Sequence, residues 1–260
     1  MELPLYQVDA FTSTVFAGNP AAVCPLSEWL SDDILQAIAR ENNLSETAFF
    51  VRSGDRYQLR WFTPGCEVDL CGHATLASAH VLFNYLDELG ETLRFDTKSG
   101  ELTVTRQKTR LSLDFPARPP AAVTAHPDLV TALGGSEPLE ILGSRDYLVR
   151  YKTEAEIRAL SPNMEVLKNM DRFAVIVTAP GADCDFISRF FAPAKGVNED
   201  PVTGSAHCTL IPYWAEKLNK TTLYARQVSS RGGELFCQLK GNRVEIAGHA
   251  VLFLKGSIFL

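Results

Sequence analysis

Hydrophobic and polar positions along this chain switch repeatedly between the period of a strand and that of a helix. Residues 5–11 (LYQVDAF) alternate as a half-buried strand does, and Gly18-Asn19-Pro20 is a turn signal leading into the apolar run 21–25. Ser31-Asp32-Asp33 opens a helix whose apolar positions Ile34, Leu35, Ile38 and Ala39 share a face, and which ends near Asn42-Asn43. Strands are predicted at 48–51 and 57–63, with Glu46 immediately before the first of them. From Ala74 to Leu86 apolar and small residues leave little polar face, the pattern of a helix buried all round. Strands at 92–96, 101–107 and 110–115 close this half.

Pro116-Ala117-Arg118-Pro119-Pro120 interrupts regular pairing and marks a boundary. Beyond it come a short helix at 127–133 ended by Gly134-Gly135, a strand at 146–151, a capping box at Thr153–Glu156 and a further helix start at Ser161-Pro162-Asn163. Strands at 173–177 and 185–191 precede a helix running to Leu218, which Pro212 should kink. The last strands are predicted at 223–229, 234–239 and 244–254. The expected domains are therefore 1–115 and 116–251, with a terminal strand at about 252–260 returning to the first. The fold class is α+β: two mixed or antiparallel sheets, each wrapped around one buried helix.

The two halves echo each other. Arg60 and Pro64 recur as Arg189 and Pro193, and Gly72-His73-Ala74 recurs as Gly204-Ser205-Ala206 after three inserted residues. Gly100-Glu101-Leu102 recurs as Gly233-Glu234-Leu235. A period near half the chain length points to similar domains facing each other, with the functional site expected between them.

Composition narrows the function classes. The 260 residues, 46% hydrophobic and 22% charged, are enough for a substantial core. A net charge of −6 with no Lys/Arg cluster excludes the counterion-release basis of nucleic-acid binding. No apolar run reaches the roughly 18 residues of a membrane span, and the N-terminal sequence lacks a signal-peptide pattern, so a cytoplasmic protein is expected. The six cysteines read as mostly reduced, buried fillers. Cys66, Cys71 and His73, or His207 and Cys208, lack the usual zinc spacing, and no metal site is expected.

A buried helix needs its first N–H groups satisfied. Gly72 would let backbone or ligand approach closely, leaving the N–H groups of His73, Ala74 and Thr75 to face an anion, and Gly204-Ser205 would do the same. Around such starts stand His73, Asp200, Ser205 and Glu46, groups suited to proton transfer next to a carboxylate or enolate.

These residues resemble a known family, the phenazine-biosynthesis PhzF-like proteins, which share the diaminopimelate-epimerase fold. The matching segments are VDAF (8–11), GNPAAV (18–23), NLSETAFF (43–50), RWFTP and LCGHAT (within 60–75), NEDPVTGSAH (198–207) and SSRGGEL (229–235). The resemblance implies pseudo-symmetric barrels around central helices, an active site in the cleft, a homodimer, and no metal or organic cofactor. It implies that Glu46, in the SET motif, shuttles a proton, as in isomerisation of a dihydro-hydroxyanthranilate by the phenazine enzyme. It also assigns His73, Asp200 and Ser205 to the site, with Asn19 and the backbone of Gly72, Ala74, Gly204 and Ala206 binding the substrate.

The epimerases of this fold use opposed cysteines before the two helix starts. Here Cys71 holds the first place and Thr203 the second, which disfavours a symmetrical thiol pair. The expected function is thus a cofactor-independent isomerase of a small carboxylic acid. An amino- or hydroxy-acid epimerase and a non-catalytic small-molecule or protein binding module remain the alternatives. A cysteine hydrolase built on Cys71 and His73 is disfavoured, since their spacing should point the side chains apart.

Overall fold

The computed structural model describes residues 1–260, which divide into two compact units: Met1–Asp114 with Ala247–Leu260, and Phe115–Ile246.

In the first unit the chain forms β1 (Glu2–Ala10), β2 (Asn19–Leu26), α1 (Asp32–Asn42), β3 (Glu46–Ser53), β4 (Arg56–Phe62), the short β5 (Glu67–Val68), α2 (Gly72–Tyr85), β6 (Thr92–Thr97), β7 (Gly100–Gln107) and β8 (Arg110–Pro116), which runs across the boundary. β1 and β2 are antiparallel, β2 and β3 parallel, and β3 and β4 antiparallel. After α2 the chain returns parallel to β4 as β6, and β6, β7 and β8 follow antiparallel.

The second unit contains β9 (Ala121–Ala122), α3 (Leu129–Leu133), β10 (Glu140–Gly143), β11 (Tyr147–Arg150), α4 (Glu154–Ala159), α5 (Met164–Leu167), β12 (Val175–Pro180), β13 (Phe186–Phe191), α6 (Gly204–Leu218), β14 (Thr222–Gln227), β15 (Gly233–Lys240) and β16 (Arg243–Gly248). Its pairings follow the same order: β10 antiparallel to β11, β11 parallel to β12, β12 antiparallel to β13, then after α6 a parallel return as β14 and antiparallel β15. The fold is α+β with two pseudo-symmetric domains, each a mixed sheet around a central helix. The last strand, β17 (Ala250–Phe259), pairs antiparallel with β1 and so belongs to the first unit.

The two central helices show why their sequences lack a polar face. α2 packs against β1, β2, β3, β7 and β17, and its side chains from His73 through Ala79 are all buried. α6 packs on β14 and β15 with Ala206 through Ala215 buried. α1 is different: it covers the outside of β3 and β4 with Leu35, Ile38 and Ala39 against Phe49 and Phe62, while Ile34, expected on that face, is 39% exposed.

Several details depart from the sequence reading. Residues 244–254 form two strands, because β16 ends at Gly248 and β17 begins beyond His249, where the chain changes partner to pair Ala250 with Ala10. A side chain at position 248 would meet the Phe11 ring at 2.4 Å, so the crossing is closely packed. β12 starts at Val175, and Phe173 instead lies 41% exposed beneath the Arg145 guanidinium, 4.4 Å from its ring centre. β5, β9 and β10 are too short for alternation to reveal. α6 runs through Pro212 to Leu218 as expected, and the Cys208 carbonyl that the proline deprives of a helical partner accepts the Arg118 N–H at 2.8 Å. The proline-rich segment between the halves thus supplies the missing donor.

Candidate active site

The first unit builds its site from the turn that joins β1 to β2. Asp9, buried at the end of β1, accepts the Phe16 N–H at 2.9 Å and folds the connecting loop back on itself. Gly18 takes φ +65°, and a Cβ there would lie 2.2 Å from the Ala10 carbonyl oxygen, so only glycine fits. The loop therefore delivers Asn19 to the start of β2. The parallel register sets Ala21 beside Glu46, which places the Asn19 and Glu46 ends of β2 and β3 together at the first turn of α2.

There Asn19, Glu46, Cys71 and His73 converge. His73 Nε2 lies 3.1 Å from Glu46 Oε2, and the Asn19 carboxamide nitrogen lies 3.2 Å from His73 Nδ1. Cys71 Sγ stands 3.5 Å from His73 Nδ1 and 3.9 Å from Nε2. Asn19 is fully buried and His73 and Cys71 nearly so, whereas the Glu46 side chain keeps 17% of its surface exposed. Burial, reinforced by the Glu46 charge, pushes the Cys71 thiol up to about 11. Burial also opposes a charge on His73, but the acidic groups beside it, Cys71 and Glu46, more than offset this and hold the imidazole well above its ordinary value.

The proximity of Cys71 and His73 corrects the expectation that their spacing separates them. Cys71 is the N-cap of α2 with extended backbone (φ −144°, ψ 108°), so helical geometry does not govern its direction. No side chain caps the helix. The Cys71 carbonyl instead accepts both the Thr75 hydroxyl at 2.5 Å and the Thr75 N–H at 3.2 Å.

In the second unit the corresponding helix start is arranged by other groups. Thr203 is the N-cap of α6, again without a side-chain cap, and its hydroxyl donates to Asp200 Oδ2 at 2.5 Å. Gln227, buried at the end of β14, accepts the Thr203 N–H at 2.8 Å and donates to the Asp200 carbonyl at 2.7 Å. Ser205 is half-buried and accepts a hydrogen bond from Arg145 at 3.2 Å, the same guanidinium that grips Asp146 by two bonds of 2.9 and 2.8 Å. Gly204 and Ala206 are buried in the first turn.

The strand registers allow the two sets to be compared position by position. Thr47 pairs with Phe62 and Val175 with Phe191, so the place of Glu46 in the first unit is held by Ala174 in the second. The matching helix starts set Cys71 against Thr203 and His73 against Ser205. Carboxylate, thiol and imidazole thus belong to the first unit, and neutral hydroxyls and a methyl group stand at the equivalent places of the second.

Sequence reading missed Gln227 and Arg145, whose contacts join strand ends to a helix start far away in the chain. It also missed a feature that was available to it. Arg60 holds Glu67 through bonds of 2.7 and 2.9 Å, and Arg189 holds Glu199 through bonds of 2.8 and 2.9 Å. Each clamp fixes the loop leading into a central helix, and the echo of the arginines could have led to the glutamates.

Of the residues considered for a metal, Cys66 is exposed and bonded to Thr63, away from the others. Glu46, Cys71 and His73 instead bring one donor atom each within 4.8 Å of one another.

The family model described as phenazine biosynthesis-like protein matches residues 8–256. The chain belongs to the phenazine biosynthesis-like (PhzC-PhzF) family. Within that family it is 57% identical to an uncharacterised isomerase of Pseudomonas aeruginosa, over the whole length of both chains. The crystal structure of a PhzF-family phenazine biosynthesis protein from Enterococcus faecalis matches all of both chains at 51% identity with a TM-score of 0.98. A hydroxyproline epimerase from Agrobacterium vitis shares the fold alone, at 9% identity and a TM-score of 0.63, over 99% of this chain and 92% of its own. The chain is an enzyme of the isomerase class. No helix in this PhzF-family protein is long and apolar enough to cross a membrane.

Proposed function

We propose that this isomerase moves a proton between carbons of a small carboxylic acid, dihydro-hydroxyanthranilate-like or an amino or hydroxy acid, with Glu46 as general acid and base. The observation that carries this reading is the single carboxylate beside an imidazole, at 3.1 Å, in a chain whose equivalent position is Ala174. One base that removes a proton and returns it suits movement of that proton along the same face of a bound molecule. The residues of the second unit equivalent to Glu46, Cys71 and His73 are Ala174, Thr203 and Ser205, so the pair of matched acids that an epimerase uses is missing.

In this mechanism Glu46 takes a proton from carbon, and the electron pair left behind moves into the adjoining π-system or carboxylate. The same carboxylic acid then returns the proton at another carbon. His73 steadies Glu46 in both states. With the Asn19 carboxamide nitrogen donating to Nδ1, the neutral ring carries its proton on Nε2, 3.1 Å from Glu46 Oε2. Asn19 is thereby a positioning residue for His73 rather than a direct substrate contact.

We assign substrate binding to the backbone N–H groups at Gly72 and Ala74 and at Gly204 and Ala206, which no capping side chain occupies. Asp200 and Ser205, fixed by Gln227, Thr203 and Arg145, are assigned to the polar substituents of the substrate.

The test is a reaction in deuterium oxide followed by NMR, over a panel of amino, hydroxy and dihydroaromatic carboxylic acids. A product with a shifted double bond and deuterium at the new carbon supports the reading. Inversion at the original carbon, with no positional change in any compound, overturns it in favour of an epimerase.

A further inference from the structure

We propose that Glu46, Cys71 and His73 form a binding site for a zinc-class divalent ion, and that the ion, when bound, switches the enzyme off. The second half of this inference rests on the role proposed for Glu46; the first half rests on geometry alone.

The donor set is a thiol, an imidazole and a carboxylate. Zinc accepts all three, at about 2.3 Å from sulfur and 2.0–2.2 Å from nitrogen or oxygen. A tetrahedral ion at those lengths holds its ligand atoms roughly 3.3–3.6 Å apart. The observed separations are 3.1 Å between His73 Nε2 and Glu46 Oε2 and 3.9 Å between Cys71 Sγ and His73 Nε2, with no donor pair beyond 4.8 Å. Small rotations of the Glu46 and Cys71 side chains close the difference.

Two further features make this a built arrangement. The Asn19 carboxamide faces the remaining ring nitrogen of His73 at 3.2 Å and, turned so that its oxygen accepts the Nδ1–H, supplies the outer hydrogen bond that orients metal-bound imidazoles. Cys71 at the N-cap and His73 in the first turn of α2 are buried and lose little freedom on binding an ion, while the partly exposed Glu46 leaves an entry path. A sulfur ligand favours zinc over magnesium or calcium, which seek oxygen. Three protein ligands leave the fourth position to water, as in open zinc sites.

The ion is an inhibitor here and not a cofactor. Glu46 Oε2 cannot hold a metal and receive a proton from carbon with the same lone pair. Binding converts the Cys71 thiol to thiolate, and protons displaced from the ligands pass to bulk water. No covalent or redox change follows.

The experiment uses the full chain, stripped with a chelator and titrated with zinc by equilibrium dialysis and with cobalt(II) by absorption spectroscopy. Wild type should bind one ion per chain and show the near-ultraviolet band of a cobalt–thiolate bond. Cys71→Ser should lose that band, and both Cys71→Ser and Glu46→Gln should bind zinc at least roughly tenfold more weakly. Cys66→Ser should behave as wild type. Circular dichroism identifies any variant that fails to fold, and either of the two ligand variants alone suffices. Absence of stoichiometric binding in wild type, or loss of the cobalt band in Cys66→Ser, overturns the site.

Solvent-deuterium exchange on the same samples tests the consequence. Exchange should fall in proportion to occupancy and return on chelation. An ion bound with the thiolate band but leaving exchange untouched overturns the inhibition. Full exchange by metal-free Glu46→Gln overturns the role of Glu46 and leaves the site standing.

Discussion

His73 points Nε2 at Glu46 Oε2 across 3.1 Å, although the two residues enter the site from a helix start and a strand start. If His73 steadies the carboxylate across that contact, the donor matters more than the ring. His73→Ala is expected to lower the rate of proton exchange about 100-fold, within the usual range for general acid–base groups. His73→Gln, which keeps an N–H donor, should retain more of the rate. Steady-state kinetics of both variants check this, with the change expected in kcat rather than KM.

Gln227 joins the end of β14 to the loop carrying Asp200 and to the N-cap of α6. Gln227→Leu keeps the volume but strands a buried N–H and a carbonyl. We expect a loss of about 1–3 kcal/mol in denaturant unfolding. Under conditions where the variant remains folded, KM should rise, because the loop is assigned to substrate binding.

Gly18→Ala tests the turn that delivers Asn19. The substitution puts a Cβ 2.2 Å from the Ala10 carbonyl oxygen on a residue at φ +65°. The strained conformation alone costs roughly 1–3 kcal/mol, and thermal melting should show a marked fall in Tm. Asn19→Ala, which leaves the backbone free, should keep more of the stability while still lowering exchange.

His207 gives the expected acid response. It is buried in α6 with Nδ1 against the Thr203 carbonyl at 2.8 Å and no partner for Nε2, and burial lowers it to about 4. An unfolded histidine near 6.5 binds a proton that the folded one refuses until about pH 4. Between those values the unfolded state holds more protons, so stability falls as the pH falls, by up to about 3 kcal/mol from this group. His207→Phe should flatten the dependence of the denaturation midpoint over that window. An unchanged slope would contradict the assignment.

Much of this architecture is legible in the sequence because burial writes itself into patterning. The all-round apolar runs of α2 and α6, the Thr153 capping box and the glycine turn before Asn19 each have a local cause and were read correctly. What escaped depends on distant partners. The Cys208 carbonyl that Pro212 leaves without a helical donor is satisfied from Arg118, and Phe173 leaves its strand to lie under Arg145. The Cys71–His73 contact escaped because spacing rules for helices fail at an extended N-cap. Glu46 was singled out by its place before a buried strand, but only the parallel register of β2 and β3 brings it to Asn19 and His73.

The central claim is that Glu46 carries the proton, and mass spectrometry of solvent-deuterium wash-in tests it most directly. Wild type and Glu46→Gln, both metal-free and both shown to be folded, are incubated with a carboxylic acid that wild type turns over. The account predicts deuterium at carbon with wild type and at least about 100-fold slower incorporation with Glu46→Gln. Equal incorporation by the two proteins would contradict it.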